Sequence, residues 1–375
     1  MNINRNERIY LSPPYQSGKE AELIGEVLQS NWLSPVGDHI TRFESLLCEM
    51  FQFPNIVAVS SGTAALHLIL RKINIEKGDV VLVSDLTFIG GVSPVVYEGG
   101  RPVFIDSDQS SWNISPELLR EYLENNTNNL PKALIVVHLY GMPCEILKIQ
   151  EICKHYGIVL IEDCAEALGA IVDGRYVGNF GDFAFLSFNG NKTITTSGGG
   201  AVIAKEKEDM EHFVYLSTQA NKAKTYYLHE EIGFNYRMSN LLAALGIAQL
   251  ADFDFRIERK RAINLFYRRE LEISGFQFLK ERVGIESSHW LSCALVPDRI
   301  NVNSLIKQLD EQYNIETRSV WNPMHLQPVF KNEEARLNGV SEYLFENGIC
   351  LPSGVGLTED QLKYIVDAII GIISR

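Results

Sequence analysis

The sequence predicts an α/β protein whose larger part is built on a mostly parallel, doubly wound sheet. Short apolar runs alternate with stretches of helical periodicity, which is the pattern of strand–helix units with helices on both faces of a sheet. The strand candidates are Ile56–Val59, Val80–Val83, Pro102–Ile105, Ala133–Val137, Ile158–Ile161, Phe183–Ser187 and Gly200–Ala204. These seven strands and a length of 375 residues predict a large domain and a smaller one.

Helical stretches lie between the predicted strands. Ser115–Glu124 and Pro143–His155 are examples. In the second, Ile146, Ile149 and Cys153 recur at helical spacing and form one apolar face. Such a face packs against a sheet, which supports the layered arrangement.

The chain divides into three predicted parts. Residues 1–18 form an N-terminal arm, residues 19–252 the large domain and residues 253–375 a small C-terminal α/β domain. A charged helix containing Arg256–Arg261 leads out of the large domain. The predicted elements of the small domain are strands at Trp290–Leu295 and Ile315–Arg318 and a last helix at Glu359–Ile373.

Charge and composition exclude several classes of protein. The net charge of −13 argues against nucleic acid as a partner and against a polybasic membrane contact. The longest apolar runs are too short for a transmembrane helix, and the N-terminus has no apolar signal core. The six cysteines form no Cys-x-x-Cys pair, so we predict no metal site and expect reduced thiols in a cytoplasmic protein.

Lys192 lies in the most informative stretch of the chain. It stands between the apolar strand ending at Ser187 and the glycine run Gly198–Gly200, with no other charge nearby in sequence. A cation is costly to bury, and a neutral lysine amine is a nucleophile for carbonyls. The stretch therefore indicates a Schiff-base lysine, the alternative being a surface lysine beside a glycine turn.

Two further features lie upstream of Lys192. Asp163 and Glu166 follow a buried strand, at the edge of an open α/β sheet where ligands bind. The polar Ser60–Thr63 follows another strand and opens a helix, which favours anion binding by free backbone N–H groups. A phosphate cradle, a carboxylate and a reactive lysine are the groups that hold pyridoxal 5′-phosphate (PLP).

Three blocks carry a resemblance to a known family. Ser61–Leu68, Glu162–Gly169 and Ser187–Thr193 resemble the signature blocks of the sugar-nucleotide aminotransferases, which are fold-type I PLP enzymes of the aspartate aminotransferase superfamily. Other blocks look closest to the bacillosamine-pathway C4 aminotransferases, namely Asn189–Lys192, Thr196–Gly200, Ser217–Ala220 and Gly348–Gly354. Ser197 and Glu166 depart from the residues that many other relatives carry, and both departures fit that branch.

The resemblance implies a role for each cofactor residue. Lys192 carries the cofactor aldehyde and shuttles a proton, and Asp163 pairs with the pyridinium nitrogen. Glu166 lies near the phenolic oxygen, where two close anions need a shared proton. The other cofactor-binding residues are Gly62, Thr63 and Ser187 at the phosphate, Phe88 stacked on the ring, and Asn235 reaching the phosphate across a homodimer interface.

Substrate contacts are implied in the same way. A loop that contacts the nucleotide sugar in relatives corresponds to Asn31, Trp32, Leu33 and Ser34. Arg237, Arg318 and His325 are candidates for the donor carboxylate or the diphosphate, and Trp321 for a wall of the cleft. Trp32 could equally be buried packing, and a lone histidine is more often structural.

The expected activity is transfer of an amino group from L-glutamate to C4 of a UDP-linked 4-keto-6-deoxy-N-acetylhexosamine. Alternatives are a GDP- or dTDP-linked keto sugar, aminated at C3 or C4, and a PLP-binding regulatory protein without activity. A sugar dehydratase is disfavoured because that branch replaces the lysine by histidine. The absence of a Gly-x-Gly-x-x-Gly after a strand disfavours an NAD-dependent oxidoreductase.

Overall fold

The computed structural model describes residues 7–223 and 225–374. The first six residues of the predicted N-terminal arm lie outside this part of the chain. The described strands are β1 Asn55–Val59, β2 Val80–Ser84, β3 Arg101–Ile105, β4 Ala133–Val137, β5 Val159–Asp163, β6 Ile171–Val172, β7 Arg175–Tyr176, β8 Phe183–Ser187, β9 Gly200–Ala204, β10 Gln277–Phe278, β11 Ile285–Glu286, β12 Ser292–Leu295, β13 Arg318–Ser319, β14 Glu334–Arg336 and β15 Gly348–Leu351. The described α-helices are α1 Glu20–Ser30, α2 Asp38–Phe51, α3 Gly62–Lys72, α4 Ser93–Tyr97, α5 Pro116–Asn125, α6 Ile146–Tyr156, α7 Lys207–Ser217, α8 Asn240–Leu250, α9 Phe253–Leu271, α10 Val302–Tyr313, α11 Val340–Asn347 and α12 Glu359–Ile373.

The large sheet has eight strands in the order β1-β9-β8-β5-β4-β2-β3-β14. It contains all seven predicted strands, and β9 alone among them runs antiparallel to its neighbours β8 and β1. The eighth strand, β14, pairs in parallel with β3 at the edge. Its sequence Glu334-Ala335-Arg336 has no apolar run, so the sequence pattern did not predict it. The mostly parallel α/β architecture is confirmed.

Helices cover both faces of this sheet because its strands are apolar on both sides. In β1, Ile56 and Ala58 join the core under helices α2, α6 and α8. Val57 and Val59 join the core under helices α3, α4 and α7 on the opposite face. The pleat of the strands therefore separates two hydrophobic cores, and the strand ends meet at one edge between them.

The chain beyond α8 builds a second sheet. The long helix α9 packs on α12, and the antiparallel sheet runs in the order β10-β12-β15-β13. The last predicted helix agrees with α12 at both ends, while β12 begins at Ser292, two residues later than predicted. Since β14 returns to the large sheet, this part of the chain contributes to both sheets.

Among the residues described, the structure contains no helix that combines the length and the apolar character needed to cross a bilayer.

Helices α2 and α8 approach closely at a glycine. A Cβ on Gly246 would lie 2.5 Å from the ring of Phe43, which is fully buried. Alanine is about 1 kcal/mol better than glycine in a helix interior. Overpacking a core costs about 1–3 kcal/mol, so the clash outweighs this gain.

We therefore expect Gly246→Ala to lower the midpoint of thermal unfolding. Gly25→Ala in α1 is the matched control, because a Cβ there has no neighbouring atom within 4 Å. This control should raise the midpoint, and calorimetry of both variants measures the difference. A Gly246→Ala protein as stable as the wild type would contradict the close packing of α2 on α8.

Candidate active site

One cavity of about 350 Å³ lies at the carboxyl ends of the parallel strands. Its walls come from the ends of β2, β5 and β8, the start of α3, and the chain on either side of β12 and β13. It brings together every predicted cofactor residue except Asn235, namely Gly62, Thr63, Phe88, Asp163, Glu166, Ser187 and Lys192. Of the predicted substrate residues, Arg318 and Trp321 also line it.

The anion-binding end of the cavity is the N-terminus of α3. Ser61 caps this helix by accepting a hydrogen bond from the Ala64 amide at 3.0 Å. The first backbone bond of the helix runs from the Ala65 amide to the Ser61 carbonyl. The amides of Gly62 and Thr63 precede that bond, so they and the helix dipole are available to an anion. Ser187, at the end of β8, adds a hydroxyl at the cavity wall.

Asp163 places a buried carboxylate across from Gly91. Its Oδ1 accepts a hydrogen bond from the Ala165 amide at 2.9 Å. A Cβ on Gly91 would lie 2.9 Å from Oδ2, so the absence of a side chain keeps the approach to this oxygen open. Burial raises the pKa of Asp163 to about 7, helped by the charge of Glu166 and opposed by Lys192.

The fit between these residues and PLP rests on this carboxylate. Asp163 is a buried acid with a raised pKa, and the approach to its Oδ2 is open. Such a carboxylate suits a cationic N–H group as its hydrogen-bond partner. The protonated ring nitrogen of PLP is such a group, and the α3 N-terminus offers its phosphate an anion site. The donor set therefore suits PLP.

Glu166 is held by three groups. Its Oε2 accepts a hydrogen bond from the Tyr140 amide at 2.7 Å, and its Oε1 accepts one from Trp321 Nε1 at 3.2 Å. The Lys192 ammonium lies 3.7 Å from Oε1. Burial raises the pKa of Glu166 above its ordinary value, and Lys192 and the two N–H donors oppose that rise. Asp163 and Glu166 therefore lie in the same cavity, as predicted for two acids close together. The N–H donors and Lys192 stabilise the charged form of Glu166.

Lys192 is not isolated in the fold, although no charge lies near it in sequence. Besides Glu166, it contacts the ring of Trp290, whose centroid lies 4.0 Å from Nζ. Trp290 Nε1 also donates a hydrogen bond to the Asn191 carbonyl at 2.7 Å. The lysine therefore lies between a carboxylate and an indole face that together fix its direction.

Phe88 follows β2 and stands at the mouth of the cavity. Its side chain is 55% exposed, and its ring centroid lies 5.5 Å from that of Trp321. An aromatic side chain this exposed is not part of the hydrophobic core of the described chain. The predicted stacking on the cofactor ring remains a prediction.

Several predicted site residues lie outside this cavity. Asn235 and the loop Asn31–Ser34 are exposed, and Asn240 holds that loop through hydrogen bonds with the carbonyls of Trp32 and Ser34. Trp32 is 59% exposed, so it is not buried packing within this chain.

Arg237 and His325 have partners of their own within the chain. The guanidinium of Arg237 forms an ion pair with Glu44 and donates to the Ala58 carbonyl at 2.9 Å. His325 lies between Asp85 and Glu342, and the hydrogen bond with Asp85 raises its pKa. The described chain thus gives both residues structural partners, and their contact with substrate stays a prediction.

Tyr140 and Trp290 were missed as site residues by the sequence reasoning. Tyr140 adopts a left-handed backbone conformation, with φ of 54°, and directs its amide at Glu166. Its buried ring stacks between those of Trp290 and Trp321. The place of Tyr140 after β4 was a usable signal, because ligands bind where parallel strands end. Nothing in the local sequence of Trp290 indicates its contact with Lys192.

A buried cluster of His138, Glu162 and Cys164 has its potential ligand atoms within 4.8 Å of one another. The Glu162 carboxylate already accepts hydrogen bonds from the amides of Gly178, Phe180 and Gly181 and bonds His138 at 3.0 Å. Its lone pairs are therefore engaged, and the cluster ties the loop before β8 to β5 without needing an ion.

A partly buried lysine amine, a carboxylate facing an open approach and a helix N-terminus for a phosphate are typical of a PLP-dependent enzyme. Comparison with known proteins agrees. The chain belongs to the DegT/DnrJ/EryC1/StrS aminotransferase family, which it matches over residues 14–370. It is therefore a PLP-dependent aminotransferase of the fold-type I class, in a family that acts on nucleotide sugars.

Individual relatives cover nearly the full chain. A putative pyridoxal phosphate-dependent aminotransferase of Bacillus subtilis, EpsN, is 41% identical over 97% of this chain and 96% of its own. The GDP-perosamine synthase of Escherichia coli O157:H7 is 38% identical over 95% and 97%. The PLP form of the putative sugar aminotransferase Spr1654 from Streptococcus pneumoniae superposes with a TM-score of 0.89 at 25% identity, covering 98% and 99%.

The raised pKa of Asp163 predicts how the cofactor-free protein responds to pH. An acid whose pKa rises from 3.8 to about 7 on folding binds more protons in the folded state between these values. The free energy of unfolding should therefore fall as pH rises from about 4 to 7.

Asp163→Asn removes this penalty, so the cofactor-free variant should unfold several degrees above the wild type at pH 8. The two proteins should converge near pH 4. Asp254→Asn, at an exposed carboxylate of α9, is the control and should show no such pH-dependent difference. Thermal unfolding at pH 4, 6 and 8 measures the effect, and a constant difference at all three values would contradict the buried acid.

Proposed function

We propose that this enzyme transfers the amino group of L-glutamate to C4 of a nucleotide-linked 4-keto-6-deoxyhexose. The first candidate is a UDP-linked N-acetylated sugar, whose 4-amino product would serve surface glycan or glycoprotein synthesis. The observation that carries the proposal is the arrangement of Lys192 between Glu166 and Trp290, opposite Asp163, in one cavity at the strand ends.

The residues of the cavity have separate tasks in this reaction. When bound, PLP supplies the electron sink that allows a proton to leave the α-carbon of the amino donor. Asp163 would keep the ring nitrogen protonated, and the amides of Gly62 and Thr63 would hold the phosphate. The free amine of Lys192 would take the proton from the α-carbon of the donor and deliver it to C4′ of the cofactor. Glu166, 3.7 Å away, stabilises the ammonium form of Lys192.

Space for a long substrate supports a nucleotide sugar. A second chamber of about 390 Å³ adjoins the cavity, roofed by the N-terminal segment Tyr10–Pro14. The two chambers share Asn191, Trp290, Arg318 and Trp321 as lining residues. Arg318, whose side chain is 66% exposed, is the cation at this junction, and its guanidinium suits a carboxylate or a diphosphate.

The choice of nucleotide rests on sequence. The blocks Asn189–Lys192, Thr196–Gly200, Ser217–Ala220 and Gly348–Gly354 support UDP through their resemblance to bacillosamine-pathway enzymes. A GDP-linked sugar is the second candidate, because relatives named GDP-perosamine synthase are 38% identical in Escherichia coli O157:H7 and 36% identical in Vibrio cholerae.

A panel of 4-keto-6-deoxy sugars linked to UDP, GDP and dTDP tests the proposal. Each is incubated at equal concentration with L-glutamate, and the amino sugar is followed by mass spectrometry. We expect the largest kcat/KM for the UDP-linked N-acetyl sugar. A larger kcat/KM for the GDP-linked sugar would establish the second candidate, and failure to aminate any 4-keto sugar of the panel would overturn both.

We also propose a homodimer in which each active site is completed by the other subunit. Asn235 and the loop Asn31–Ser34 are exposed and lie outside the cavity of their own chain. The loop region carries the exposed apolar side chains Trp32, Leu33 and Val36. Contact with a second subunit would cover these side chains and bring Asn235 to the phosphate end of the partner's cavity.

Mixing two inactive variants tests the shared site. Lys192→Ala removes the amine, and Asn235→Ala should abolish activity at limiting PLP because a phosphate contact is lost. A heterodimer of the two has one site with both residues intact, so we expect up to half the wild-type activity per dimer. If Asn235 served its own chain, both sites would be defective and no activity would return. Each variant mixed with itself is the control.

A further inference from the structure

A second lysine, Lys260, is buried beneath the active site. It lies on α9 and is 2% exposed. Its Nζ donates hydrogen bonds to the backbone carbonyls of Trp290 at 2.9 Å and Ser353 at 3.1 Å. Among the residues described, no carboxylate forms an ion pair with it. The ammonium therefore has two backbone carbonyls from different segments as its acceptors. Burying a lysine without a carboxylate partner carries a desolvation cost.

The carbonyl of Trp290 belongs to the residue whose ring contacts Lys192. That ring is 1% exposed and lies 4.0 Å from Lys192 Nζ. Its Nε1 is bonded to the carbonyl of Asn191, the residue before Lys192. Trp290 is thus held at two points, by Asn191 at the ring and by Lys260 at the backbone.

The segment around Trp290 has little freedom to move toward the large sheet. A Cβ on Gly141 would lie 2.8 Å from the Trp290 amide nitrogen, so these backbones are in direct contact. On the opposite side, toward α9, Lys260 holds the backbone through its hydrogen bonds to the carbonyls of Trp290 and Ser353. Loss of its hydrogen bonds would remove the contact between α9 and the Trp290 carbonyl, while Tyr267 of α9 would still bond the Pro352 carbonyl next to Ser353.

We propose that Lys260 is a positioning residue, which fixes the Trp290 backbone so that the indole ring holds the Lys192 amine in its reactive direction. This inference rests on the proposed role of Lys192. Lys260 itself touches neither cofactor nor substrate in this arrangement. It acts through the two carbonyls and links α9 to the segment before β12 and the segment after β15, which lie at the same end of the small sheet.

Energetics agree with a specific role for this amine. Burial, together with the neighbouring charge of Arg256, lowers the pKa of Lys260 to about 7. A buried amine whose charged form is disfavoured contributes little to stability at neutral pH. Its contribution is directional, because one side chain of α9 donates to carbonyls of two segments that the sheet and the Ser292–Ser353 hydrogen bond also join.

Lys260→Met tests the inference, because methionine keeps the length of the side chain and removes the donor. We expect kcat of the glutamate half-reaction, followed by the absorbance of bound PLP, to fall about tenfold, with KM for glutamate changed less than twofold. In the cofactor-free protein, amide hydrogen exchange in the segment 287–293 should become faster, which is a readout independent of activity.

Arg256→Met is the matched control. Arg256 is also buried on α9, one turn earlier, but it bonds Asp252 and the Tyr15 carbonyl. This variant should lower the unfolding temperature and leave both kcat and exchange of the segment 287–293 unchanged. Lys260→Gln, which keeps a donor, should give a rate between those of Lys260→Met and the wild type, and it replaces Lys260→Met if that protein does not fold.

A double-mutant cycle separates positioning from general destabilisation. If Lys260 acts through Trp290, adding Lys260→Met to Trp290→Ala should change kcat less than twofold. A tenfold fall in that background as well, or unchanged kcat and exchange in Lys260→Met alone, would overturn the inference. Failure of the wild type to react with glutamate would instead overturn the proposed function, and the exchange measurement would still decide whether Lys260 holds Trp290.

Discussion

The site depends on one electrostatic constraint, which is that two carboxylates and one amine share a buried space. Asp163 and Glu166 both have a raised pKa because burial disfavours their charged forms. The charged forms of the two carboxylates are stabilised by N–H donors from Ala165, Tyr140 and Trp321 and by the Lys192 ammonium. A cationic ring nitrogen beside Asp163 would complete the balance, and cofactor binding would then relieve a charge arrangement that the protein alone leaves unfavourable.

Sequence could predict the parts of this site that lie on regular elements. Lys192, Asp163 and the Ser61–Thr63 turn each follow an apolar strand, and parallel strands end at one edge of a sheet. Their meeting in one cavity therefore follows from the strand pattern once the fold class is known. The resemblance to the family added roles for these residues, and it added Phe88 and Arg318, which spacing alone does not mark.

The remaining parts depend on contacts between distant segments. Trp290 reaches Lys192 from the second sheet, and β14 joins the large sheet although two of its three residues are charged. Arg237 has Glu44 as its partner, which no periodicity relates to it. Local patterns report which face of an element is apolar, but not which distant side chain will meet it. Asn235 lies outside the cavity of its own chain, so its predicted phosphate contact is not among the contacts of the described residues.

The antiparallel strand β9 has a consequence for the order in which the site can assemble. Ser187 pairs with Gly200, so Lys192 lies on the loop of a hairpin formed by adjacent strands. The contact between Trp290 and Asn191 spans 99 residues, and closing that longer loop costs about 2 kcal/mol more in chain entropy. The surroundings of Lys192 and Asp163 can thus form early around β5, β8 and β9. The N-terminus of α3 and the Trp290 ring join them over longer loops, so the anion site and the indole contact with Lys192 are completed later, the latter when the chain beyond α9 packs.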